Sequence, residues 1–397
     1  MNLLTWNLRS SHYIEHRVMN TIDGQDGLIN TIVSLCNNVL LSGKTDYLDN
    51  PMPSLTFSEW DELLSLASKH GMLPSLMSFF EGRQIEDKEL RRVIVKKFAS
   101  AQKNTLKYQN RVKTVEELAR IFAEDGIDMM IFKGVATAQL YPKPEWRMFS
   151  DIDFFLYGRC LDGNTAMERH GIKSRPFYHH NTEATLHGIL LENHYDFVER
   201  MNHRQNLMVD DEMKLLASEE GKSYKASFLG SDISNVYCMT PTMNAIFLMR
   251  HMGAHFASES IALRMLYDWA LFLKTYAKQV DWTRVCKIYE ASGMIEFVEL
   301  VMGLIKSHLG VEFCEMPIKP VEDEKTEKVW NSIVSPPATN PHKKYGIAYF
   351  FFETKTFLGN KWKHDIAYPG ESYFLLSLHY AWSIFKRKTG LLKIDVK

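Results

Sequence analysis

The sequence predicts an α/β (α+β) chain in which a mixed sheet core is flanked by N- and C-terminal helical regions. Apolar residues recur every three to four positions in the first and last parts of the chain, as in amphipathic helices. Between them, short apolar runs alternate with helical segments, the order that builds an α/β sheet. The length of 397 residues also exceeds that of a typical single domain. We therefore divide the chain into a helical region (1–105), an α/β core (106–235) and a second helical region (236–397).

The composition narrows the class of protein. Lys and Arg total 47 against 48 for Asp and Glu, a net charge of −1, which argues against bulk nucleic-acid binding but allows a local basic patch. The five cysteines form no CxxC pair, so neither a disulfide framework nor a zinc ribbon is predicted. The N-terminus lacks an apolar leader and no run reaches 18 apolar residues, so we predict no membrane span and a cytoplasmic location.

The elements follow in order. The N-terminal region is predicted helical over 28–43, from near Ser58, and over 87–123. Strands and helices then alternate in the core: a strand over 126–134, a helix over 135–141, a strand over 151–158, a helix over 161–171, and strands over 173–180 and 187–199. The C-terminal region is predicted helical over 240–256, 261–277, 281–293 and 294–310, with aromatic helical stretches near 347–357 and 373–388.

Two aspartates at the head of a core strand are the sharpest chemical feature. Asp151 and Asp153 are two residues apart, so in a strand they project from the same face about 6.6 Å apart. Carboxylates placed in this way can share a pair of divalent cations that polarise a phosphate, and Mg²⁺ suits such oxygen ligands. A solvated turn is the alternative interpretation of the same two residues.

A Lys-Gly corner precedes this strand by one helix. Lys133 and Gly134 close the first core strand and open a helix, and such a corner can present backbone N–H groups to a phosphate. Lys133 would add a positive charge. Combined with the aspartate pair, the corner predicts a phosphate site.

A further carboxylate is available on a strand predicted over 190–198. Glu192, His194 and Asp196 share one face of that strand by its period of two. The polar face is either a solvent face or a third ligand placed beside the aspartate pair, and we favour the second interpretation. Glu192 and Asp196 are about 13 Å apart along an extended strand, so they cannot both reach one metal pair.

The span GIDMMIFKGVATAQLYPKPEWRMFSDIDFFL resembles the signature of the uncharacterised nucleotidyltransferase family, within the DNA polymerase beta-like nucleotidyltransferase superfamily. The matching features are the Lys-Gly corner, Tyr141-Pro142, Arg147 and the Asp-x-Asp strand. Further matches are WDELLSLASKHGMLPSL, the Glu192–Tyr195 segment, and the helices LMRHMGAHF, LRMLYDWALFL and VDWTRVCKIYEASG. The resemblance covers roughly residues 30 to 310.

The resemblance implies an active Mg²⁺-dependent nucleotidyltransferase with a polymerase beta-like fold. An NTP would place its triphosphate at the Gly134 corner, and an acceptor would attack the α-phosphorus and release pyrophosphate. Two Mg²⁺ ions, with Mn²⁺ as an alternative, would bind the catalytic Asp151, Asp153 and Glu192. The acceptor is unknown; a sugar phosphate, a protein or an RNA would each serve. The nucleotide-binding residues implied are Lys133, Gly134, Arg147, Ser150 and His194.

One departure from the superfamily pattern leaves a second hypothesis open. The superfamily has Gly-Ser or Gly-Gly at the corner, whereas this chain has Gly134-Val135, so no serine hydroxyl meets the phosphate. Either Lys133 and Arg147 compensate, or the chain is a catalytically weak member that acts as a nucleotide-sensing or scaffold subunit. A role in a toxin–antitoxin system, where this fold also occurs, is compatible with the chain.

Two other features have competing interpretations. His251 and His255 have the spacing of a metalloprotease zinc pair but lack its glutamate, so we expect them to face the core or the nucleotide pocket. Aromatic residues at the C-terminus predict either helix core or a surface for a membrane or a partner protein. These are Tyr349, Phe350, Phe351, Phe352, Tyr373, Phe374, Tyr380, Trp382 and Phe385.

Overall fold

The computed structural model describes residues 24–42, 51–177, 180–200, 203–311, 316–334, 341 and 347–376. The first helices are α1 (Gly24–Leu40), α2 (Phe57–Lys69), α3 (Leu73–Ser78) and α4 (Lys88–Ala123). The start of α2 is fixed by a capping box: the Thr56 side chain accepts from the Glu59 N–H, and the Glu59 carboxylate accepts from the Thr56 N–H at 2.7 Å. The helix therefore begins one residue before Ser58.

One mixed sheet of six strands lies at the centre of the described residues. Its strand order is β3-β4-β5-β2-β1-β6, in which β2 and β5 are parallel, β1 and β6 are parallel, and the other neighbours are antiparallel. The strands are β1 (Met129–Phe132), β2 (Asp151–Phe155), β3 (Arg175–Phe177), β4 (Asn181–Leu186), β5 (Ile189–His194) and β6 (Val236–Cys238). Helices α5 (Gly134–Ala138), α6 (Cys160–Arg169) and α7 (Arg204–Glu219) lie between strands in the chain.

The two faces of the sheet belong to two different apolar cores. Ile131, Ile152 and Phe154 pack with side chains of α4 and α6 on one face. Phe132 and Phe155 join the larger core, which the flanking helices build on the opposite face. Asp151 and Asp153 alternate with the first set, so they project towards the helices of the larger core rather than towards α4.

The remaining described helices follow the sheet. They are α8 (Pro241–Ser258), α9 (Leu263–Tyr276), α10 (Trp282–Ala291), α11 (Ile295–Leu309), α12 (Glu324–Val334), α13 (Ile347–Gly359) and α14 (Lys361–Ala367). Helix α1 packs against α11 and α12, so the two helical regions share one core. The predicted fold class, a mixed sheet flanked by helical regions, is confirmed.

Three details of the predicted core were wrong. Strands β4 and β6 were not predicted, because β4 has a largely polar sequence and β6 has only three residues. The strand predicted over 190–198 ends at His194. Beyond it, the backbone N–H of Phe197 donates to the Asp210 carboxylate at 2.6 Å instead of to a neighbouring strand. Asp196 therefore lies beyond β5 rather than on its face.

The domain boundaries stay predictions, and α4 runs through position 105 without a break. Tyr380, Trp382 and Phe385 lie outside the described residues, as does most of the aromatic stretch predicted over 373–388. Within the ranges given above, no helix is both long enough and apolar enough to cross a bilayer.

Candidate nucleotidyltransfer site

Strands β2 and β5 bring the predicted acidic residues together. The two strands are parallel neighbours, and their register pairs Asp153 with Glu192. Paired residues on adjacent strands project from the same face, so the two carboxylates lie side by side. This confirms the prediction that the strand carrying Glu192 borders the aspartate pair.

Asp153 is the most constrained member of this site, with 1% of its surface exposed. Its Oδ1 accepts from the Lys133 ammonium at 2.8 Å and lies 3.2 Å from His194 Nε2. Burial alone would raise the pKa of Asp153, but Lys133 and His194 outweigh it and hold that pKa well below its usual value. Asp153 Oδ2 is also buried and has no hydrogen-bond partner. A buried ionised oxygen without a partner is the atom that a cation would satisfy.

Asp153, Glu192 and His194 form what we call the carboxylate–histidine cluster. One ligand atom from each lies within 4.8 Å of the others, and His194 Nε2 is 3.4 Å from the Glu192 carboxylate. Burial lowers the pKa of His194, but its contacts with Asp153 and Glu192 exceed that effect and raise the pKa overall. Asp151 is not in this group. Burial and the negative charge of the nearby Asp153 raise the pKa of Asp151. The Asp151 carboxyl therefore lies close to the same group of negative charges.

The Lys-Gly corner is conformationally unusual. Lys133 has φ 49° and ψ −142°, a backbone conformation that residues other than glycine rarely adopt, and Gly134 has φ +22°. A Cβ on Gly134 would lie 3.1 Å from the Phe149 ring and 3.2 Å from the Asp151 carbonyl oxygen. Backbone strain of this kind often marks a functional position. The Lys133 side chain at this strained position donates to Asp153.

The Arg147 side chain is buried next to the Lys-Gly corner and does not extend into solvent. Its Nε and Nη2 donate to the two oxygens of Asp268, each at 2.8 Å, and its Nη1 donates to the Gly134 carbonyl at 3.3 Å. Tyr141 donates its hydroxyl to Asp268 at 2.8 Å. The family resemblance implied that Arg147 binds the nucleotide, whereas its contacts are with the Asp268 carboxylate and the Gly134 carbonyl. Its binding to a nucleotide stays a prediction.

Ser150, a predicted nucleotide-binding residue, and Asp196, which was predicted not to reach the metal pair, have different surroundings. Ser150 is exposed, and its carbonyl accepts from Arg111 Nη2 at 3.2 Å. Asp196 forms ion pairs with Lys214, which also contacts Asp210 at 2.9 Å. The Asp196 carboxylate is therefore paired with Lys214 rather than with the carboxylate–histidine cluster, although its backbone carbonyl oxygen lies 3.2 Å from His194 Nδ1.

Two further helices complete the electrostatic surroundings. Burial is the largest cause that holds the pKa of His251, on α8, well below its usual value. The charges of Lys133 and Asp153 also act on this residue. Arg264 on α9 lies within electrostatic range of Arg147 and Asp151. His251 was expected to face the core or the pocket. Arg264 and Asp268 were missed, although their i, i+4 spacing in LRMLYDW is the signal that could have revealed the pair.

Comparison with known proteins agrees with this geometry at the level of the family. No curated protein and no solved structure matches the chain significantly. Residues 57–310, more than half of the chain, match the family described as "Uncharacterised nucleotidyltransferase". The sheet, the Lys-Gly corner and the carboxylate–histidine cluster all fall within this matched segment. The chain therefore belongs to the uncharacterised nucleotidyltransferase family.

Proposed function

We propose that this protein transfers a nucleoside monophosphate from an NTP to an acceptor, with release of pyrophosphate and dependence on Mg²⁺. The acceptor oxygen would form a bond to the α-phosphorus, and the bond from that phosphorus to the β-phosphate oxygen would break. The observation that carries the proposal is the buried Asp153 carboxylate, unpartnered at Oδ2 and paired in register with Glu192. Family membership supports nucleotidyl transfer as the reaction class.

The residues present fit a divalent cation. Asp151, Asp153 and Glu192 place three carboxyl groups within electrostatic range of the Lys133 ammonium. Their oxygens are ligands that Mg²⁺ and Mn²⁺ accept, and Asp153 and Glu192 would be the core of the ligand set. Divalent ions bound there would polarise the α-phosphate and stabilise the charge that develops during displacement.

The chain's own groups have separate roles in this proposal. Lys133 lies 2.8 Å from Asp153 and would move its positive charge towards the triphosphate when cations take over that carboxylate. His194 fixes the orientation of Asp153 through its Nε2. Gly134 permits close approach of the backbone, and Arg147 supports that backbone from behind through Asp268. Ser150, at the exposed edge, is proposed to contact the nucleotide.

A nucleotide-sensing or scaffold role is the second candidate. It is favoured by two observations: Lys133 already neutralises Asp153, and Gly134-Val135 lacks the serine hydroxyl of the superfamily corner. A protein of this type would bind an NTP at the same corner without turning it over. Binding with no pyrophosphate release would select this candidate.

The acceptor and the partners belong to the proposal as classes only. A sugar phosphate, a protein and an RNA are the acceptor classes to be tested. Phe351 and Phe374 are 73% and 70% exposed, which supports a partner surface on the C-terminal aromatic segment. We propose a cytoplasmic location for the reaction.

The experiment that tests the proposal compares NTPs labelled at the α-phosphate with NTPs labelled at the γ-phosphate. Each NTP is supplied with ³²P at either the α- or the γ-phosphate, together with Mg²⁺ or Mn²⁺ and candidates of each acceptor class. Nucleotidyl transfer predicts acceptor labelling from the α-label only, with pyrophosphate released in equal amount. Labelling from the γ-phosphate would show phosphoryl transfer instead. With every NTP and acceptor class supplied, no labelling and no pyrophosphate would contradict nucleotidyl transfer.

A further inference from the structure

A second group of histidine and carboxylate side chains lies outside the site described above. His203 is the N-cap residue of α7, His364 is in α14, and Glu371 follows α14. One ligand atom from each lies within 4.8 Å of the others. We call these three residues the second cluster. It shares no residue with the carboxylate–histidine cluster, and two of its members lie beyond the segment that matches the family.

His364 is the feature that packing alone does not explain. The residue is 1% exposed, and neither ring nitrogen has a hydrogen-bond partner. The nearest carboxylate on its own helix, Asp365, is 4.0 Å from Nδ1, which is too far for a hydrogen bond. Because buried polar atoms are nearly always paired, an imidazole with two unpaired nitrogens points to a missing ligand.

The other two members are held in place by their neighbours. His203 stacks on the Tyr368 ring with the centroids 3.6 Å apart, and its Nδ1 lies 2.7 Å from Glu371 Oε2. Glu371 Oε1 accepts from the backbone N–H of Gln205 at 3.0 Å. These contacts fix the carboxylate and one imidazole beside the unpartnered ring of His364. The cluster is therefore partly organised before any ligand binds.

We propose that His203, His364 and Glu371 bind one divalent transition-metal ion, with Zn²⁺ as the best fit. Two imidazole nitrogens and one carboxylate oxygen are a donor set that Zn²⁺ accepts, and a water completes its tetrahedral coordination. Mg²⁺ fits less well because it prefers oxygen ligands. The ion would join residues 168 positions apart and so fix the segment after α14 to the start of α7.

Neighbouring positive charges oppose the ion, including Lys361, which acts on His364 and is paired with Asp365. Arg250 is buried with its guanidinium 3.9 Å from the Tyr368 ring centroid, and it donates to the Ala367 carbonyl at 2.9 Å. Its positive charge lies within electrostatic range of Glu371, which offsets part of it. We therefore expect micromolar rather than nanomolar affinity for Zn²⁺.

The test measures Zn²⁺ binding to the full-length protein after removal of metals by chelation and dialysis. Isothermal titration gives the stoichiometry and affinity, and Co²⁺ absorption reports tetrahedral coordination. His364→Phe fills the same space without nitrogen ligands, and Glu371→Gln removes one charge. Both variants should lose one equivalent of Zn²⁺, or bind it at least tenfold more weakly. Asp153→Asn tests the other cluster and should retain this equivalent.

A histidine–carboxylate pair on the surface provides the matched control. His170 Nε2 lies 3.0 Å from Glu124, and His170→Ala should leave the binding unchanged. Should His364→Phe fail to fold, Glu371→Gln decides the test, because Zn²⁺ should raise the melting temperature of the wild type but not of this variant. Retention of all Zn²⁺ in Glu371→Gln and His364→Phe would overturn the proposal. A wild-type protein whose Zn²⁺ is lost entirely in Asp153→Asn would also overturn it.

Discussion

The buried ion pair between Arg147 and Asp268 should be costly to break. Both residues are 5% exposed, and two hydrogen bonds of 2.8 Å join them. Asp268→Asn removes the negative charge and leaves the buried Arg147 guanidinium without its hydrogen-bonded counter-ion, which typically costs about 3–5 kcal/mol. The amide oxygen of Asn can still accept one hydrogen bond. We therefore expect a loss near the lower end, about 3 kcal/mol.

Urea unfolding followed by both circular dichroism and tryptophan fluorescence measures this loss, provided that the two transitions coincide. The same substitution at Asp232, which pairs with Arg120 on the surface at 2.8 Å, serves as the matched control and should leave the midpoint unchanged. The double variant Arg147→Met/Asp268→Leu should lose about 2 kcal/mol less than the sum of the single variants. A loss below about 1 kcal/mol in Asp268→Asn would refute the assignment of Arg147 as a charge-paired support of the corner.

Three more predictions follow from close approaches and burial. Gly134→Ala should weaken NTP binding more than it lowers the melting temperature, because its Cβ would lie 3.1 Å from the Phe149 ring beside the phosphate site; unchanged NTP affinity would place that site elsewhere. Gly303→Ala should destabilise by more than about 2 kcal/mol in urea unfolding, since its Cβ would lie 1.8 Å from the Val321 carbonyl oxygen, and a wild-type midpoint would contradict that contact. Burial lowers the pKa of His70 from 6.5 to about 4, so its contribution to stability is complete above pH 6.5 and about 3 kcal/mol is lost as the pH falls to 4. His70→Gln should remove this part of the pH dependence of the unfolding free energy, and equal slopes in the two proteins would disprove it.

The local part of the site could be predicted from the sequence because it depends on short-range periodicity. The two-residue spacing of Asp151 and Asp153 fixes their common face once β2 forms, and the apolar run before Lys133 fixes the preceding strand. The polar face of its strand favoured a place for Glu192 beside the aspartate pair, and the family resemblance selected Glu192 over Asp196. Strand order itself depends on tertiary pairing that no local pattern encodes. The structure confirms that adjacency through the register of β2 and β5.

The rest could not be predicted because it depends on contacts between distant residues. In the sequence, nothing near Arg147 indicates a partner that would keep it from binding a phosphate. In the structure, Asp268, 121 positions later, accepts hydrogen bonds from its Nε and Nη2. The end of β5 is set by Asp210, whose carboxylate binds the Phe197 N–H from a later helix. In each case the partner is chosen by how the helices pack against the sheet, which the spacing of residues along the chain does not specify.

We propose that the Asp153–Glu192 pair holds the cations required for NTP binding. The most direct test is isothermal titration of each Mg·NTP into the wild type, Glu192→Gln and Asp196→Asn. Asp196 is four residues after Glu192 but pairs with Lys214, so it provides a matched acidic control. We predict that Glu192→Gln loses Mg²⁺-dependent binding while Asp196→Asn keeps the wild-type affinity. Equal affinity in the wild type and Glu192→Gln, or loss in Asp196→Asn alone, would contradict the assignment of the metal site.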